Sequence, residues 1–98
     1  MNIEGFENLS ASLSARHQDA RKSEEAYRVA RATKFLEMAI PSNGEKKPSD
    51  EVIKARLDAD PELIALRAKM ETDAAELSVA QYFYRAAIAT QNNSGLED

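Results

Sequence analysis

The chain has 98 residues, a net charge of −4, 43% hydrophobic and 31% charged residues, and no cysteine. That is one domain at most, with too many apolar residues for a disordered tail and no apolar run near the roughly 20 residues of a membrane-spanning helix. Without cysteine there is no disulfide framework and no thiolate metal site, and the modest acidity disfavours bulk attraction to nucleic acid.

The N-terminal MNIEGFENLS lacks the basic and apolar regions of a signal peptide, so a cytoplasmic protein is expected. Residues 7–40 hold no glycine or proline and are rich in Ala, Leu, Arg, Glu and Lys, all good helix formers. A stripe runs Phe6, Leu9, Leu13, Ala20, Tyr27, Ala30, with spacings of three, four or seven. Past Tyr27 a second stripe of Val29, Ala32 and Leu36 joins it, widened by Phe35 and Met38. The pattern predicts a helix over about 7–40, stopped before Pro41 because the residue preceding proline resists helical geometry.

PSNGEKKPS (41–49) reads as a loop. Ser49 or Asp50 can cap a short helix over 50–58, with Val52, Ile53 and Leu57 apolar. DPEL at 60–63 is the clearest local signal: Asp60 suits an N-cap, Pro61 the first helical position, and Glu62 the positive end of the helix dipole. A third helix is expected over about 61–91, with a seam of Met70, Ala74, Leu77, Gln81, Tyr84 and Ile88. Asn92, Asn93, Ser94 and Gly95 should end it, leaving 92–98 as a frayed tail.

The expected fold is therefore all-α: one domain over 1–98, an antiparallel hairpin of two long helices joined by a short one. Tyr27–Ile40 should lie near Leu63–Ala74 beneath the short helix, and Phe6–Ala20 near Leu77–Ile88. Gln81 and Ala20 stand where a long coiled coil would place leucine.

The catalytic inventory is thin. His17 is the lone histidine, Asp19 points to another side of the helix, and Asp73 or Glu76 could approach only across the hairpin. The chain has no Glu-x-x-His metal motif, no calcium-loop pattern around DADPE (58–62), and no phosphate-cradling GxxxxGK[ST]. The expectation is a non-enzyme without cofactor or metal.

Arg21, Arg28 and Arg31 fall within about 80° on the first helix, and Lys34 continues their drift. Such a strip can track a phosphate backbone, or can be a solvated face paired with Glu24 and Glu25. QYFYRAAI (81–88) sets three of the six aromatics side by side, and a single helix face cannot bury all three. With Tyr84 in the seam, Phe83 lies about 100° and Tyr82 about 160° away. Val79, Phe83, Ala86 and Ala87 form a second strip, and Val29 and Leu36 another surplus on the first helix. A two-helix hairpin covers one strip per helix, so Val29, Leu36, Val79, Tyr82, Phe83, Ala86 and Ala87 are the expected oligomer or partner interface, with a homodimer forming a four-helix bundle favoured.

One further observation bears on function. A long helix ending ARATKFLEMAI, a polar Pro/Gly loop, SDEVIKARLDADPELIALRAKM, and a long helix with late aromatics together resemble the small all-helical hairpin proteins of phage and prophage genomes. The resemblance covers about residues 25–90 and carries no catalytic motif. It implies an accessory role in DNA recombination or replication, or takeover of a host factor. Three functions are thus in view: a self-associating protein-interaction module, a recombination accessory contacting nucleic acid through Arg21, Arg28, Arg31 and Lys34, and an inhibitor of a host nucleic-acid-binding protein.

Overall fold

The computed structural model describes residues 3–40 and 46–97, with side chains described as far as Gln91. It is all-helical, with α1 (Ile3–Ala39), α2 (Asp50–Asp58) and α3 (Pro61–Glu97), and the long α1 packs on α3. Each long helix has 37 residues, more than the pattern predicted. α1 begins at Ile3 rather than near residue 7, with Glu4 in its first turn complementing the dipole. α3 continues through 92–97 instead of ending near Gln91. Asn, Ser and Gly lower helix propensity by about 1 kcal/mol or less each, which weakens a helix without blocking it as proline does.

α1 closes with the Ile40 amide donating to the Leu36 carbonyl at 3.1 Å. Of the loop expected at 41–49, residues 41–45 lie outside the described residues, as does the terminal Asp98, while 46–49 is non-helical as expected. Ser49 is extended (φ −65°, ψ 155°), and its hydroxyl accepts the Val52 amide at 3.3 Å, capping α2. At the far end Ala59 N–H donates to Ala55 and Asp60 N–H to Leu57, at 3.2 and 3.1 Å. Asp60 immediately caps the next helix, its Oδ1 accepting the Leu63 amide at 3.1 Å. One residue therefore ends the α2–α3 turn and starts α3.

Contacts gather into two compact units, one made by Lys22–Glu71 and the other by Met1–Arg21 with Thr72–Asp98. In the first, Ile53, Leu57 and Leu63 are 0%, 1% and 2% exposed, and Tyr27, Phe35, Met38 and Leu66 pack around them. α2 supplies two of the three buried side chains from one face, four residues apart. Each such aliphatic side chain contributes about 1.5–3 kcal/mol when fully buried. The short helix is thus the floor of this unit's core.

In the second unit the helices run antiparallel. Phe6 meets Tyr84, with ring centroids 5.5 Å apart, and ten residues on Arg16 pairs with Glu76, eight residues earlier. The positions not left exposed are Gly5, Phe6, Leu9, Leu13, Arg16 and Ala20 on α1, and Asp73, Leu77, Ala80, Gln81, Tyr84, Ala87 and Ile88 on α3, so the expected seam residues Leu77, Gln81, Tyr84 and Ile88 are all covered. Steps of three and four carry the face on both helices, with an adjacent residue added at 5, 81 and 88. The expected seam residue Ala74 is exposed and its neighbour Asp73 is buried in its place. Asp73 engages a partner there, which offsets the cost of burying a carboxylate.

Candidate interaction surface

The stretch 77–91, LSVAQYFYRAAIATQ, holds a single charged residue, Arg85. A helix that is apolar on more than its packed face normally lies inside a larger core. The structure divides the aromatic triplet. Tyr84 is half-buried against Phe6, while Phe83 is 56% and Tyr82 68% exposed. Tyr82 and Phe83 stand edge to face, centroids 5.7 Å apart and planes at 75°. This edge-to-face geometry is favourable for aromatic pairs, so the two rings hold each other at the surface.

Val79 is 55% exposed, and Ala86, one heptad on, is exposed beside it. Ala87 departs from the expected interface: it is 7% exposed and continues the packed spacing Ala80, Tyr84, Ala87. A rotation of about 100° separates it from Ala86, and its small side chain sits on the inner face. Beside the exposed strip runs a groove of about 450 Å³, with Leu9 and Ser12 on one wall, Val79, Ala80 and Phe83 on the other, and the Arg16–Glu76 pair at its edge.

The unit of Lys22–Glu71 has its own exposed face. Val29 and Leu36 are 54% and 60% exposed, and Ile40 is 69% exposed in line with them. A groove of about 680 Å³ is lined by Tyr27, Ala32, Phe35, Leu36 and Met70, with Glu24, Arg28 and Arg31 also on its walls. Sequence reasoning missed this groove, along with the exposure of Ile40, Val52 and Ile64. A periodic stripe identifies which residues share a face but does not show how far the opposing helix covers them.

The basic strip is partly consumed within the fold. Arg31 Nη1 donates to Asp58 Oδ1 at 3.2 Å and to the Tyr27 hydroxyl at 3.4 Å. Lys34 Nζ lies 2.9 Å from both Asp60 oxygens and 2.9 Å from Glu62. Hydrogen bonds to Asp60 and then Glu62 hold the Lys34 ammonium above the usual lysine range. The same Lys34 bond, with the Leu63 amide, holds the Asp60 carboxyl below the usual carboxylate range. Arg28 is exposed on the groove wall, and Arg21 is exposed in the other unit.

His17 is exposed, and Glu76, one acid that might have reached it, is held by Arg16. Among the described residues no three His, Cys, Asp or Glu side chains gather as a metal-holding group, and no helix is long and apolar enough to cross a membrane. Comparison of the chain with protein-family models, with curated proteins and with solved structures gives no match.

Proposed function

We propose that this protein is a non-enzymatic helical interaction module that self-associates and docks a protein partner through the apolar faces its own fold leaves open. The observation that carries this reading is the near-absence of charge over 77–91, where Val79, Tyr82 and Phe83 stay more than half exposed. Exposing two neighbouring aromatic rings to water is unfavourable, and covering them with a second helical layer removes that cost. Two helices packed along one seam have little core of their own, so a four-helix arrangement also supplies stability.

The nucleic-acid reading draws on Arg21, Arg28, Arg31 and Lys34. It is weaker, because Lys34 and Arg31 already meet three carboxylates between them. Phosphate contacts would have to displace those partners.

Light scattering tests the favoured reading. At micromolar concentration the chain should have twice its 10.8 kDa monomer mass, and Phe83→Asp should return it to the monomer with its helix content kept. A wild-type monomer sinks the self-association.

A further inference from the structure

We infer that the groove of the Lys22–Glu71 unit is a binding site for a small amphipathic anion, a molecule about 10 Å long with an apolar body and one carboxylate or comparable head. The site goes beyond the self-association reading, and none of its residues lies in the 77–91 stretch on which that reading rests. At about 680 Å³ the groove falls within the roughly 300–1,000 Å³ span of small-molecule sites.

Along α1 the wall changes character. Its later part, with Ala32, Phe35 and Leu36, carries no polar side chain, and Met70 adds an apolar one from α3. Its earlier part carries Tyr27, Arg28 and Arg31, all able to donate hydrogen bonds, against a single carboxylate, Glu24. An amphipathic partner helix lying along this wall would set one apolar stripe against charges over half its length. A ligand with a head and a tail matches both parts.

Position along the helix selects the sign of the head. At 1.5 Å per residue, Arg28 lies about 10 Å back from Phe35, and Glu24 about 16 Å. A body resting on Phe35 and Leu36 therefore brings its head to Arg28 before it reaches Glu24. The surrounding donors are already set. Arg31 Nη1 donates to Asp58 Oδ1 at 3.2 Å and to the Tyr27 hydroxyl at 3.4 Å. The Tyr27 hydroxyl, accepting there, keeps its own proton to donate. Asp58 already balances the Arg31 charge, so Arg28 is the residue that supplies charge to a ligand. Arg28 is exposed and forms no ion pair among the described residues, so an anion there displaces no internal partner.

NMR titration of the chain with naphthoate tests the site, with naphthalenemethanol as the neutral analogue and naphthylmethylammonium as the cationic one. Shifts should centre on the amides of 28–36 and the Met70 methyl. Naphthoate should bind about fivefold tighter than the alcohol, the ratio an exposed ion pair gives, and the ammonium should bind weakest. Arg28→Gln should bring naphthoate to the affinity of the alcohol and leave the alcohol unchanged. Equal affinity of the three probes, tightest binding by the ammonium, a naphthoate preference that survives Arg28→Gln, shifts centred elsewhere, or no saturation at millimolar probe would each overturn the inference. A wild-type dimer that binds no probe leaves self-association standing, and a monomer that binds naphthoate through Arg28 leaves this site standing without it.

Discussion

Lys34 and Asp60 join α1 to the start of α3 within the Lys22–Glu71 unit: the ammonium of α1 sits 2.9 Å from each carboxylate oxygen, and the same carboxylate caps α3 through the Leu63 amide at 3.1 Å. One side chain thus performs two separable tasks. Asn is as good an N-cap as Asp but carries no charge. Asp60→Ala should lower the melting temperature by about 4–8 °C, the shift expected for losing a cap in a domain of this size. Asp60→Asn should recover most of that loss. Equal losses in thermal melts of the two variants would show that the ion pair, rather than the cap, matters at this turn.

The same junction fixes a pH profile. Asp60 titrates lower in the folded chain than unfolded, so its contribution is full above the ordinary aspartate value near ~3.9 and is lost as pH falls through the depressed folded value. Lys34 titrates higher when folded, so its contribution is full below the ordinary lysine value near ~10.4 and is lost as pH rises through the raised folded value. Urea midpoints should show a plateau between these limits. Asp60→Asn should flatten the acid limb and Lys34→Met the alkaline one.

The apolar centre of this unit is small, which makes each member costly to remove. Leu57 is 1% exposed and projects from α2 into the cluster with Ile53 and Leu63. Leu57→Ala should destabilise by about 2–5 kcal/mol, because so small a cluster has few neighbours that can collapse into the cavity. Denaturant unfolding checks this, and a loss below about 1 kcal/mol would mean that α2 contributes little to the core.

Much of this was legible in the sequence where local chemistry decides the outcome. Asp60 caps α3 as its spacing indicates, and of the two candidates for α2 it is Ser49 rather than Asp50 whose side chain reaches the amide three residues on. Ile53 and Leu57 share a face by periodicity and both are buried. The reading failed where the answer lies across the fold. Ala74 looked like the seam residue and Asp73 did not, because a carboxylate enters a seam only when something meets it there, and sequence spacing does not show that partner. Ala87 looked like interface for the same reason: only the position of α1 decides which of two adjacent alanines is covered. Arg31 and Lys34 read as part of a basic strip, either tracking phosphate or paired with Glu24 and Glu25, yet the turn after α2 delivers Asp58, Asp60 and Glu62 to them. The groove beside Phe35 and Met70 had no sequence signal, since it is space left between side chains.

In the unit of Met1–Arg21 with Thr72–Asp98, the Phe6–Tyr84 contact is the one aromatic pair that joins α1 to α3 among the described residues. Phe6→Ala should cost about 2 kcal/mol, roughly half the value for a fully buried phenylalanine. Hydrogen exchange should locate the loss: amides of residues 3–21 and 72–91 should exchange faster, and those around Ile53 and Leu57 should keep their protection. Uniform acceleration over the whole chain would show that the two units unfold as one.

The central claim is that the uncharged face around Phe83 is covered by another helical surface, and sedimentation equilibrium of the wild type and Phe83→Asp at micromolar concentration tests it most directly. The account predicts a wild-type dimer and a folded, helical Phe83→Asp monomer. A wild-type monomer, or a Phe83→Asp chain that sediments as the wild-type dimer does, would contradict it.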